Sequence, residues 1–251
     1  LRKNLLKGGG CTGIYFTESG GGVVEGNVIT QSGSCGITVE DGSNPTIRSN
    51  RIEKTASSGI VYDQNGSGLL QHNLIFAAGN AGIVVSRGSD PDISRNVVHN
   101  SKGSGVWVRK GGSGRITDNH IGWSTGPALF VEEGGNPFME ANGVVSSKGS
   151  GLTVDNMLQG VVGPTLPSAL AVKIVDGVMV ESTNQGLPRN VVFDTTATAI
   201  FSKRQLDWDP LIVDENGQRS GSPLSPRAVI TVAGPSHVLH VPSRTSKMSC
   251  A

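Results

Sequence analysis

Residues 36–52 read GITVEDGSNPTIRSNRI. Nearly the same phrase returns at 59–75 as GIVYDQNGSGLLQHNLI and at 82–98 as GIVVSRGSDPDISRNVV. The repeat has a period of 23 residues: Asn4, Asn27, Asn50, Asn73, Asn96, Asn119 and Asn142 mark it without slippage. Nine residues after each asparagine stand Gly13, Gly36, Gly59, Gly82, Gly105, Ala128 and Gly151. Behind these run two aliphatic columns, from Ile14 to Leu152 and from Phe16 to Val154, and two more flank the asparagines, from Val24 to Met139 and from Leu6 to Val144.

Within a unit the apolar positions alternate with polar or variable ones, the period of a strand with one buried face. A helical i, i+3, i+4 stripe is missing, as are a leucine-rich consensus and a Gly-Gly-x-Gly-x-Asp calcium repeat. Three short strands and three turns per 23 residues make one rung of an all-β, right-handed parallel β-helix of about seven rungs. Each rung then pairs with the next at about 4.8 Å. The turns carry matching chemistry, with Gly22, Pro45, Gly68, Pro91, Gly114 and Pro137 alternating in one column. The asparagine column reads as a structural ladder, each residue adopting a left-handed conformation and bonding its amide to the next rung.

The repeat occupies residues 1–155. Thr165 stands where the next asparagine is due, so 156–251 is expected to form an irregular or β-rich region, partly disordered. The chain opens within a rung, which fits a piece of a longer protein. Cys11, Cys35 and Cys250 are few and odd in number, and are read as free thiols of an intracellular protein, in cytoplasm or nucleus. His237 and His240 lack a third ligand at metal spacing, and no metal or cofactor is expected. A net charge of +1 with 16% charged residues gives no nucleic-acid footprint. No apolar run reaches the roughly 20 residues of a membrane span.

Function must reside on what the rungs expose. Between the inward columns of the Gly-Ile-x-Val strand lies an outward one, Tyr15, Thr38, Val61, Val84, Trp107, Phe130 and Thr153. Its apolar members form a patch that a monomer rarely leaves bare, so it is either a binding face or a face covered by another part of the chain. The next outward column places Glu40 beside Asp63, Arg109 beside Glu132, and Glu132 beside Asp155. Paired carboxylates raise a pKa and can divide acid and base roles. The same residues, with Lys110 and Glu133, can equally form a band of surface ion pairs.

The phrase Asn-x-Ile, seven residues, then Gly-Ile-x-Val resembles the β-helix repeats of the pectate-lyase-like superfamily. It is most similar to the regular CASH type (carbohydrate-binding proteins and sugar hydrolases) found in F-box-only ubiquitin-ligase substrate receptors. That resemblance implies a protein-recognition surface; the enzymatic relatives imply clustered Asp residues or an Arg base amid irregular loops. Here the rungs are uniform, and Asp90-Pro91 is followed by Asp92 where alginate epimerases have His. The expectation is a non-catalytic module that binds a protein through Tyr15, Val61, Val84, Trp107, Phe130 and Arg109, with the ubiquitin-ligase receptor role that the resemblance implies. The alternative is a carbohydrate-binding or polysaccharide-degrading protein using Glu40, Asp63, Glu132 and Asp155.

Overall fold

The computed structural model describes residues 1–132, 134–145, 147–149 and 151–154. Beyond these it describes only the strands Leu170–Val175, Val178–Thr183, Asn190–Phe193, Ile200–Ser202, Pro210–Val213, Arg219–Ser220 and Ala228–Ala233.

Each 23-residue unit contributes one strand to each of three parallel sheets. The first sheet takes the strands that follow the asparagines, Leu5–Lys7, Val28–Thr30, Arg51–Glu53, Leu74–Phe76, Val97–His99, His120–Gly122 and Asn142–Val145. The second takes the Gly-Ile-x-Val strands, from Ile14–Phe16 through Ile83–Val85 and Val106–Val108 to Leu152–Val154. The third runs from Gly21–Glu25 to Phe138–Glu140. Pairing is one rung apart throughout, as in Ile52↔Ile75↔Val98 and Ile60↔Ile83↔Val106.

Because the strands are so short, each sends one or two side chains inward, and these stack on their equivalents from rung to rung. Ile29, Ile52, Ile75, Val98 and Ile121 from the first sheet meet Ile37, Ile60 and Ile83 from the second and Ile47, Leu70, Ile93 and Ile116 from the third, all at 0% exposure. Close approach accounts for the glycine before each second-sheet strand from Ile14–Phe16 to Val106–Val108, while Ala128 takes that place before Leu129–Val131. A Cβ at Gly82 would stand 2.2 Å from Val98 Cγ1 and 2.7 Å from the Gly105 carbonyl oxygen.

The asparagines form a ladder along one edge of this core. The Asn73 Oδ1 accepts the backbone N–H of Asn50 at 2.9 Å and its Nδ2 at 3.0 Å. The Asn73 Nδ2 in turn donates to the carbonyls of Ile47 and Gln71 and to Asn96 Oδ1. One side chain thereby satisfies backbone groups of three segments at the corner where two sheets meet. The expected left-handed conformation falls instead on the residue before each asparagine, with positive φ at Lys3, Gly26, Ser49, His72, Arg95, Asp118 and Ala141. The asparagine itself is tied into the rung by its amide, so its neighbour turns the corner.

The regular spacing breaks after Leu152–Val154, and the stack resumes further on. Asn190 pairs in register with Asn142 and Ile200 with Leu152, each 48 residues on, where 23 was the rule. Five described strands of the 156–251 region therefore belong to these sheets: Asn190–Phe193, Ala228–Ala233, Pro210–Val213 and Arg219–Ser220 extend the first, and Ile200–Ser202 extends the second. The signal is present in the sequence: Asn190, Val192 and Ala199-Ile200 keep the internal spacing of Asn119, Ile121 and Ala128-Leu129. The segment between holds an antiparallel pair, Leu170–Val175 with Val178–Thr183.

Asn73→Ala is expected to lower unfolding free energy by about 3 kcal/mol, since it strands buried carbonyls and an N–H. Asn4→Ala, at the exposed end of the ladder, is expected to cost about 1 kcal/mol or less. Urea denaturation of both variants tests the contrast. Ile83→Asp, placing an unpaired charge in the core, is expected to abolish the cooperative transition.

Candidate functional site

On the second sheet the middle residue of each strand points outward, and the register lines these up rung by rung as Thr38↔Val61, Val84↔Trp107 and Trp107↔Phe130. The column is less bare than its sequence suggests. Tyr15 is 53% exposed, whereas Val84, at 4%, is closed off between its larger or equal neighbours and cannot contact a partner directly. Val61, Trp107 and Phe130 are half-buried. The Trp107 and Phe130 rings stack on each other, with centroids 5.9 Å apart and planes inclined by 13°.

Arg109 lies over this pair, its Cζ 4.2 Å from the Trp107 centroid. It does not form the expected ion pair with Glu132; the ion pairs among the described residues join Arg2 and Arg48 to Glu25, Arg51 to Glu53, Arg87 to Asp63, and Arg115 to Glu140. The consequence is a small set of unmet polar atoms. Trp107 Nε1, Arg109 Nε and Glu132 Oε2 are enclosed by protein yet have no hydrogen-bond partner. Such atoms carry a desolvation cost of about 1–3 kcal/mol each until something bonds to them.

The carboxylates further along the column are arranged differently from an acid–base pair. Glu40 accepts a hydrogen bond from the Tyr15 hydroxyl. This bond, then burial and the nearby negative charges, push the phenol up to about 12. Asp63 follows Glu40 by one rung, but it is held by the Arg87 guanidinium through Nε and Nη2, by the Ser86 hydroxyl and by the Gln64 N–H. Burial pushes the Asp63 carboxyl up, and these bonds together with the Arg87 charge more than offset it, so the pKa is lowered. Asp63 is therefore a fixed anion, unsuited to the role of proton donor. Asp155, Glu133, His237, His240 and Cys250 lie outside the described residues. Cys11 and Cys35 are free thiols. No group of three or more His, Cys, Asp or Glu side chains converges as a metal cage among the described residues.

A second cluster escaped the sequence reading. His99 and His120 sit at outward positions of the first sheet, with ring centroids 5.1 Å apart, and the His99 ring meets Trp123 edge-on at 4.5 Å. Trp123 is 48% exposed. Its only sequence signal was the outward position of two histidines on consecutive rungs. Burial, then the neighbouring His120, drives the His99 pKa down to about 3, and burial lowers His120.

The architecture is that of a parallel β-helix with uniform rungs. The sequence profile described as "Right handed beta helix region" matches residues 1–96 and 72–204, and the chain belongs to that family. No curated protein sequence matches it. Among solved structures it is similar to the periplasmic alginate epimerase AlgG. One point variant aligns at 18% identity and a TM-score of 0.57, covering 87% of this chain and 51% of that one. A second variant aligns at 17% and 0.56 over 88% and 51%, and the protein without either substitution at 16% and 0.52 over 89% and 61%. The likeness is one of fold, and the chain spans about half the length of the first two structures.

In metal-free buffer, stability is expected to fall as pH drops below 6.5, the ordinary imidazole value, towards about 3, the value of folded His99. The folded state binds fewer protons than the unfolded one in that window, giving up to about 1.4 kcal/mol per pH unit for one site. His99→Phe is expected to flatten the slope between pH 6 and 5 in urea titrations, a range above the carboxylates.

Proposed function

We propose that the protein binds polysaccharide through the outer face of the second sheet. The observation that carries this reading is the grouping of Trp107, Phe130, Arg109 and Glu132, where two stacked rings adjoin two unmet N–H donors and an unmet carboxylate oxygen. A sugar offers apolar C–H faces and many hydroxyls, and so complements both parts. Arg109 is a long surface side chain resting on the indole; swinging it aside uncovers both the ring and its own Nε for a ligand. The solved structures of similar fold are those of an alginate epimerase, which adds weight to a polysaccharide ligand. The lowered pKa of Asp63 favours binding over acid–base use of that carboxylate.

A protein ligand, including the substrate of a ubiquitin ligase, is the competing reading, and it would use the same face with Tyr15 and Val61 at its margin. Affinity electrophoresis through gels containing alginate, polygalacturonate or a neutral glucan separates the two. Retardation of the wild-type chain by at least one polymer, lost in Trp107→Ala, is expected. The loss should amount to about 2 kcal/mol or more in binding, with unfolding free energy changed by about 1 kcal/mol or less, since the ring lies outside the core. Free migration of the wild type in every gel would overturn the polysaccharide reading. Unfolding of Trp107→Ala would instead show that the ring belongs to the core.

A further inference from the structure

We propose that His99 and His120 form a two-histidine site for a divalent transition-metal ion, Zn²⁺ or Cu²⁺, on the outer face of the first sheet, with water completing the coordination. The site is independent of the polysaccharide face, which lies on the second sheet.

The placement follows from register. His99 ends the strand Val97–His99 and His120 begins the strand His120–Gly122, with Val97↔His120 and His99↔Gly122 paired. Val98 and Ile121 fill the core between them at 0% exposure, so the histidines on either side point outward and meet diagonally. Their ring centroids are 5.1 Å apart with planes inclined by 57°. Two imidazoles bound to one tetrahedral ion through nitrogens at about 2.0–2.1 Å bring their ring centres roughly 5 Å apart.

Two further observations point to a ligand here. His99 is 4% exposed, and its Nε2 is buried without any hydrogen-bond partner, a costly arrangement for an imidazole nitrogen. The position after His120 in its column is Gly143; among the described residues, the only atom a Cβ there would meet within 4 Å is His120 Nδ1 at 3.7 Å. Gly122 stands in the matching place beside His99, so on the side of the following rung neither ring has a column neighbour with a side chain, whereas Phe76 and Val97 adjoin them on the preceding rung. Both imidazoles are held neutral by burial, the form that ligates metals. Imidazole nitrogen is a ligand for Zn²⁺, Cu²⁺ and Ni²⁺ and a poor one for Mg²⁺ or Ca²⁺. Trp123, packed against His99 at 4.5 Å, provides an optical reporter at the site.

The test is titration of the chelator-treated chain with ZnCl₂ by calorimetry and with CuCl₂ by tryptophan fluorescence, both at neutral pH. One equivalent of Zn²⁺, and quenching that saturates at the same stoichiometry with Cu²⁺, are expected; MgCl₂ should give neither. His120→Gln, at the more open of the two positions, is expected to weaken binding by at least about tenfold while leaving the circular dichroism spectrum and Tm of the metal-free protein unchanged. His99→Gln should do the same to binding, and His237→Ala with His240→Ala should leave it intact. Absence of a one-equivalent event, or wild-type affinity in a folded His120→Gln variant, would overturn the proposal. So would loss of binding in the His237 and His240 double variant with the first two unaffected.

Discussion

The structure depends on a hydrogen bond that repeats: an asparagine amide bonded to its counterpart one rung away and also to two backbone carbonyls. Strands of three residues form too few ladder bonds to fix their own register, and a slip by one residue would turn every core isoleucine outward. The asparagine prevents that slip. Its Oδ1 takes both an N–H and an Nδ2 from the preceding asparagine, so each rung is locked to the next at a single offset. The apolar columns then stack of necessity, and the glycines are needed because the rungs approach so closely.

Most of this was legible in the sequence because a parallel β-helix writes its geometry as a period. Columns of Asn, Gly, Ile and Val name the ladder, the close approach and the core directly, and each is repeated often enough to exclude accident. The corner conformation was placed one residue too late, since asparagine is itself a common left-handed residue and composition alone favours it. The resumption at Asn190 was hidden by the longer spacing rather than by any loss of pattern.

The candidate sites were legible only in part, because they depend on side-chain direction across rungs. Residues paired by column have neighbours in adjacent columns as well. Asp63 turns to Arg87, one position beyond its own column, and Arg109 turns to the Trp107 ring in preference to Glu132. The histidine pair is diagonal rather than in column, so a reading by period passes over it.

Among the described residues the last strand of the third sheet is Phe138–Glu140, whereas the first goes on through Asn190–Phe193, Ala228–Ala233 and Pro210–Val213 to Arg219–Ser220 and the second to Ile200–Ser202. A solenoid cut level would present three open strand edges in one plane, a template on which another copy could stack and lengthen into a fibre. In the first sheet the outermost described strand is the two-residue Arg219–Ser220, which runs antiparallel to Pro210–Val213. An edge strand that short offers another copy few free backbone groups on which to stack.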